Sequence, residues 1–120
     1  MGTITLYHYT NIEGRFGIAQ TGCINPSGGG RDAVFGEGVY LTSIPPTESK
    51  IKIVANNWGS QEEQQLIEVV KEGRVDFVVE IQIPTHLVTK CQTGDGRDIY
   101  LYKGTLYLNQ FVHQFKVVGQ

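Results

Sequence analysis

Apolar and polar positions alternate over residues 3–9, where Ile4 and Leu6 oppose Thr3 and Thr5 and two tyrosines follow. A period of two predicts a strand. The strand runs into Thr10-Asn11-Ile12-Glu13, which has the form of a capping box and predicts a short helix capped by Thr10. Ile12, Phe16 and Ala19 then share one helical face, and Gly22 stands just past the end. Internal glycines weaken this helix, so its core face has to hold it in place. Val39-Tyr40-Leu41-Thr42 is a β-favouring run, entered through Phe35-Gly36-Glu37-Gly38 and stopped by Pro45-Pro46. Ile51, Val54 and Trp58, spaced by three and four, predict a helix near 48–57 with a tryptophan on its core side. Ser60-Gln61-Glu62-Glu63 repeats the capping-box form and opens a helix that Gly73 closes.

The second half changes period. Val75, Phe77, Val79, Ile81 and Ile83 fall on one face of a strand ended by Pro84, with Glu80 opposite in phase. Thr93-Gly94-Asp95-Gly96 reads as a turn, and 99–102 and 111–118 as strands. The order β-α-β-α-α-β-β-β, with no internal repeat, predicts an α+β fold.

At 120 residues the chain fits one domain, residues 1–120. Fifteen glycines with sparse charge agree with a strand- and turn-rich fold. The net charge is −2 and no run or face concentrates Lys and Arg, which disfavours nucleic acid as a partner. Cys23 and Cys91 lack metal-ligand neighbours at zinc spacing, so no metal is expected. They read as two ordinary thiols, or as one bridge in a secreted protein. The N-terminus shows no signal-peptide pattern and no apolar stretch reaches spanning length, so no membrane association is expected.

His8 ends the first strand, in Leu6-Tyr7-His8-Tyr9-Thr10. A lone histidine there is ordinarily a packed or surface polar residue. The glycine pair before Tyr40 marks a tight bend by itself, and it lacks the third glycine of a dinucleotide fingerprint. In combination the signal sharpens. A strand ending in His-Tyr-Thr, a helix with Gly17-Ile18, a Gly-rich loop at 27–32 and then Phe-Gly-x-Gly-Val-Tyr-Leu resembles the ADP-ribosyltransferase fold. The nearest group is the small HYD-type ADP-ribosyltransferase domains of bacterial polymorphic toxins. More remotely, the same residues resemble the catalytic domain of poly(ADP-ribose) polymerases. The resemblance covers 6–46 most strongly, extends to 77–83 and is limited to strand order in the last quarter.

That resemblance implies a split, bent pair of small sheets with NAD in the cleft between them. It implies that His8 bonds the adenine-side ribose, that the backbone of Tyr9 clamps the nicotinamide carboxamide and that Tyr40 stacks on the nicotinamide ring. Thr10 falls near the ribose, in competition with its role as a helix cap. Arg31, in the 27–32 loop, is placed to reach the pyrophosphate or to stand solvated. The third motif residue belongs at the start of a late strand. Asp98 fits by position and charge, and also reads as a turn residue; Gln110 is the alternative, able to bond a ribose hydroxyl without supplying charge.

The implied activity is cleavage of NAD, as co-substrate, at the nicotinamide–ribose bond. ADP-ribose passes to an unknown protein or small-molecule acceptor, or to water in an NAD glycohydrolase. A module that binds NAD or ADP-ribose without turnover is the alternative from another class. An RNA 2′-phosphotransferase shares the fold but calls for cationic residues that are sparse here. The implied location is cytoplasmic, or cytosolic after delivery.

Overall fold

The computed structural model describes residues 2–26, 36–59 and 62–119. Its central sheet holds β1 (Thr3–Thr10), β4 (Phe77–Pro84) and β8 (Val112–Val117), antiparallel in the order β1-β4-β8. Register runs from Thr3↔Pro84 to Thr10↔Phe77 on one side of β4 and from Phe77↔Val117 to Gln82↔Val112 on the other. As the middle strand, β4 is apolar on both faces. Val79, Ile81 and Ile83 join Leu6, Leu41 and Leu106 in one core, while Val78 joins Tyr9, Ile53 and Leu66 in the other. Each fully buried aliphatic side chain contributes about 1.5–3 kcal/mol relative to exposure.

A second antiparallel sheet has the order β3-β6-β5, from β3 (Val39–Leu41), β6 (Tyr100–Tyr102) and β5 (Thr89–Lys90). A ribbon pairs β2 (Cys23–Ile24) with β7 (Leu106–Tyr107). Among the described residues the fold is thus a small mixed α/β structure with three α-helices and several small antiparallel sheets. The two-residue strands β2, β5 and β7 fall outside the predicted order, being too short to show a period.

Helix α1 (Ile12–Thr21) covers the first core, and α2 (Lys50–Trp58) and α3 (Glu63–Lys71) cover the second. Gly22 ends α1 in the left-handed region, its N–H returning to the Ile18 carbonyl. Two readings of α1 need correction. Its cap is Asn11, whose side chain accepts from the Gly14 N–H, rather than Thr10. The predicted core face is the exposed one, with Phe16 63% and Ile12 41% accessible and Ala19 also outside. Ile18 supplies the buried contact. Gly14 brings the helix onto Thr10, since a Cβ at Gly14 would lie 1.9 Å from the Thr10 Oγ1. Ser49 caps α2, and α3 follows Glu62; the predicted cap Ser60 lies outside the described residues. Val75 also departs from the sequence reading. It precedes β4 in a turn and packs beneath α2 and α3, not on the face of Val79.

Candidate functional site

The two three-stranded sheets touch at one bridge. Tyr7 N–H donates to the Thr42 carbonyl at 2.8 Å, and Thr42 N–H returns to the Tyr7 carbonyl at 3.0 Å. Antiparallel register would place Tyr9 opposite Tyr40 as the next such pair. No ladder bond joins them among the described residues; instead His8 Nδ1 bonds the Tyr40 carbonyl at 3.2 Å. Here the sheets separate.

A carbonyl only accepts, so this bond puts the proton on Nδ1. Burial holds the His8 pKa below its ordinary value, opposed by the hydrogen bond to Tyr40. The ring is therefore neutral at physiological pH and Nε2 keeps an accepting lone pair. The alternation of an antiparallel ladder has a further consequence. Because Tyr7 spends both backbone groups on Thr42, the N–H and C=O of Tyr9 turn to that same edge. They have no backbone partner there among the described residues. The Tyr9 side chain is anchored elsewhere, in the second core, with its hydroxyl on the Ile44 carbonyl at 2.6 Å. Burial raises its phenol pKa, with Tyr7 adding to the effect.

Tyr40 is placed by the glycine pair before it. Gly36 adopts φ +110°, a region L side chains rarely enter. A Cβ at Gly38 would lie 2.6 Å from both the Tyr102 carbonyl oxygen and Leu101 Cδ1. The pair therefore turns the chain and packs it flush on β6. The Tyr40 ring rests against the cluster of Cys91, Ile99 and Leu101, and its hydroxyl donates to the Gly36 carbonyl at 2.6 Å.

Asp98 reaches the same region from two residues ahead of β6. One carboxylate oxygen accepts from Ser43 N–H at 2.9 Å and from Thr42 Oγ1 at 3.2 Å; the other accepts from the Ser43 hydroxyl. Three donors leave roughly one of about four acceptor positions open. The structure thus gathers His8, Tyr9, Tyr40 and Asp98 around the Tyr7–Thr42 bridge. Thr10 follows directly on β1, half-buried above Gly14. Gln110 does not join them. It is exposed in a 3-10 turn ahead of β8. The level of His8 on the sheet is Val79 and Phe115, so Val112, where β8 begins, is already about 10 Å away along the strand. Arg31 lies outside the described residues.

The other singled-out residues stand apart. His86 is exposed, and His113 bonds the Phe111 carbonyl at 2.9 Å. Trp58 packs on the second core, and Glu80 pairs with Lys116 at 2.8 Å on the face opposite Val79 and Ile81. Cys23 and Cys91 are both free thiols. No cluster of three or more His, Cys, Asp or Glu among the described residues is placed to hold a metal ion. No helix among them is long and apolar enough to cross a membrane.

Sequence reasoning passed over the residues that hold Asp98. Thr42 was read as strand and Asn56 as helix, and Ser43 carried no reading. The one available signal was Asn56-Asn57, two poor helix formers inside an otherwise apolar helical pattern.

Comparison with known proteins yields a family and no relative. No curated protein and no solved structure matches the chain. A family model does, described as HYD1 signature containing ADP-ribosyltransferase, over residues 6–108. The match begins in β1, ends just beyond β7 and contains every residue gathered at the bridge, leaving out Gln110. The chain belongs to the HYD1 signature containing ADP-ribosyltransferase family of toxin-type domains.

Proposed function

We propose that this domain splits NAD at the nicotinamide–ribose bond and passes ADP-ribose to an acceptor, or to water, in a cytosol into which it is delivered. The observation that supports this reading is the N–H and C=O of Tyr9, side by side where β1 parts from β3 and without a backbone partner there among the described residues. A primary carboxamide offers one acceptor and two donors in a plane and so matches that pair. The residues around it fit the rest of the dinucleotide. His8 Nε2, unprotonated, accepts a hydroxyl from the adenine-side ribose. The Tyr40 ring offers a π face to the cationic nicotinamide, worth on the order of 1–2 kcal/mol when desolvated. Asp98 supplies negative charge beside the ribose as positive charge develops there, with its remaining acceptor position for a ribose hydroxyl.

Nicotinamide in NAD already carries its positive charge and leaves without a proton. The protein therefore has no leaving group to protonate. Its work is to hold the ring with fixed backbone groups, to exclude alternative poses and to place one carboxylate. Three hydrogen bonds reach the Asp98 carboxylate. They stop it from swinging, which makes its field a fixed feature of the site.

Amide shifts in labelled protein test the placement. NAD is expected to move the Tyr9 and His8 signals, whereas ADP-ribose, which lacks the carboxamide, moves His8 and leaves Tyr9. A Tyr9 amide that ignores NAD contradicts the reading.

A further inference from the structure

Among the described residues, two polar side chains are buried: Thr42, 3% accessible, and Asn56, 9% accessible. Burial of a polar group is costly unless it is hydrogen-bonded, so its partners say what it is there for. These two touch each other, with Asn56 Nδ2 donating to Thr42 Oγ1 at 3.2 Å, and both act on Asp98. Asn56 Oδ1 accepts the Asp98 N–H at 2.6 Å, and Asn56 Nδ2 donates to the Asp98 carbonyl at 2.9 Å. The amide of Asn56 thus bonds Asp98 as a neighbouring strand would. The partners also fix its orientation, since only the oxygen can meet an N–H and only the nitrogen a carbonyl. The register of β3 on β6 stops at Leu41↔Tyr100, two residues short of Asp98, so the ladder itself does not hold that residue. The hold is reciprocal. Arg97 Nε and Nη2 donate to the carbonyls of Asn56 and Asn57 at 2.6 and 2.7 Å, where the end of α2 leaves carbonyls unpaired.

We infer that Asn56 is a positioning residue for the reaction, fixing the backbone of Asp98 directly and its carboxylate through Thr42. The inference rests on the role proposed above for Asp98 and adds a requirement to it. Helix α2 is part of the machinery although Asn56 itself touches no substrate. Asn56 meets Asp98 and Thr42, whereas the other groups assigned to NAD stand on β1 and β3. Loss of the Asn56 amide should therefore lower turnover far more than it weakens NAD.

The test is a double-mutant cycle of Asn56→Ala and Asp98→Asn, read as kcat and KM for nicotinamide release well below the melting temperature of each variant. Asn56→Ala is expected to lower kcat roughly 10- to 100-fold with KM for NAD within about 3-fold. In the Asp98→Asn background the same change should cost less than about 3-fold, because the residue it positions has already lost its charge. An equal loss in both backgrounds, or an unchanged kcat in Asn56→Ala, overturns the inference. Ile53→Val, a core change one turn earlier on α2, should keep kcat; a matching loss there would reduce Asn56 to general support of the helix. A readout independent of turnover separates this idea from the functional reading beneath it. In Asn56→Ala the Asp98 amide should lose hydrogen-exchange protection while that of Ile53 keeps it. If wild type releases no nicotinamide, the functional reading fails, and exchange at Asp98 still decides whether Asn56 holds it. Equal protection in wild type and variant contradicts that hold.

Discussion

Tyr40 separates the contribution of a ring from that of a hydroxyl. Its phenol donates to the Gly36 carbonyl at 2.6 Å, so the proposed contact with nicotinamide is assigned to the ring rather than to the hydroxyl. Tyr40→Phe removes one hydrogen bond. Gly36 is exposed and water can replace the lost donor, so the stability cost sits near the low end of the usual range, about 0.5 kcal/mol. NAD affinity should then change by less than about 3-fold, since the aromatic face stays. Tyr40→Ala removes the face itself. A desolvated cation–π contact of roughly 1–2 kcal/mol converts to about 5- to 30-fold weaker binding. It also strips the cover from Leu101 and Ile99, so thermal melts must accompany the titrations to show that each variant is folded. Calorimetric titration with NAD at one salt concentration decides the matter. Equal affinities for wild type and Tyr40→Ala would refute the stacking role. A Tyr40→Phe defect as large as that of Tyr40→Ala would move the contact from the ring to the hydroxyl.

His8 yields a prediction about pH. Its folded pKa is depressed by burial, so NAD binding should stay level as pH falls to about 6.5, the ordinary histidine value, and weaken only below it. The unfolded chain takes up this proton near 6.5 and the folded chain resists it, so the histidine's share of stability is present above about 6.5 and lost as pH falls further. Urea unfolding of wild type and His8→Asn at two pH values reads that share as a difference, and a difference of opposite sign would contradict the burial argument. Gly38→Ala drives a Cβ to 2.6 Å from the Tyr102 carbonyl and should cost about 1–3 kcal/mol, seen as a clearly lower Tm; an unchanged Tm would show that β3 and β6 can slide apart there. Asp98→Asn should lower nicotinamide release roughly 100- to 1,000-fold with NAD affinity nearly intact, whereas Ser43→Ala, which keeps the carboxylate, and Gln110→Ala should fall less than about 10-fold. Full activity in a folded Asp98→Asn with loss in Gln110→Ala would transfer the role to Gln110.

The motif residues were legible in the sequence because short spacings place them. His8 lies near the end of a strand with clean alternation, and Tyr40 follows a glycine pair whose spacing has a local cause in the φ of Gly36 and the contact at Gly38. The face of α1 was misread for a reason just as local. Ile12, Phe16 and Ala19 carry the periodic apolar signal, yet the inward side is marked by Gly14, where a missing side chain lets the helix approach Thr10. Hydrophobic periodicity does not register a surface defined by absence. The packing of Val75 under the helices follows from a turn ahead of β4, which shifts the residue out of the strand's alternation. The setting of Asp98 lay out of reach for another reason. Its partners Thr42, Ser43 and Asn56 are 56, 55 and 42 residues away in the chain, and only the closed fold brings them together. The shortest strands, β2, β5 and β7, carry too few residues for any period and form because their partners are held in place by neighbouring elements.

The claim on which the rest depends is that the groups around the Tyr7–Thr42 bridge cleave NAD. Its most direct test is mass spectrometry of NAD incubated with the pure wild-type protein, alone and with a cell extract supplying acceptors. The account predicts free nicotinamide in stoichiometric balance with either free ADP-ribose or ADP-ribose joined to an acceptor, and both products formed roughly 100- to 1,000-fold more slowly in the Asp98→Asn control. Intact NAD after prolonged incubation under both conditions, with protein that binds it, would contradict the account.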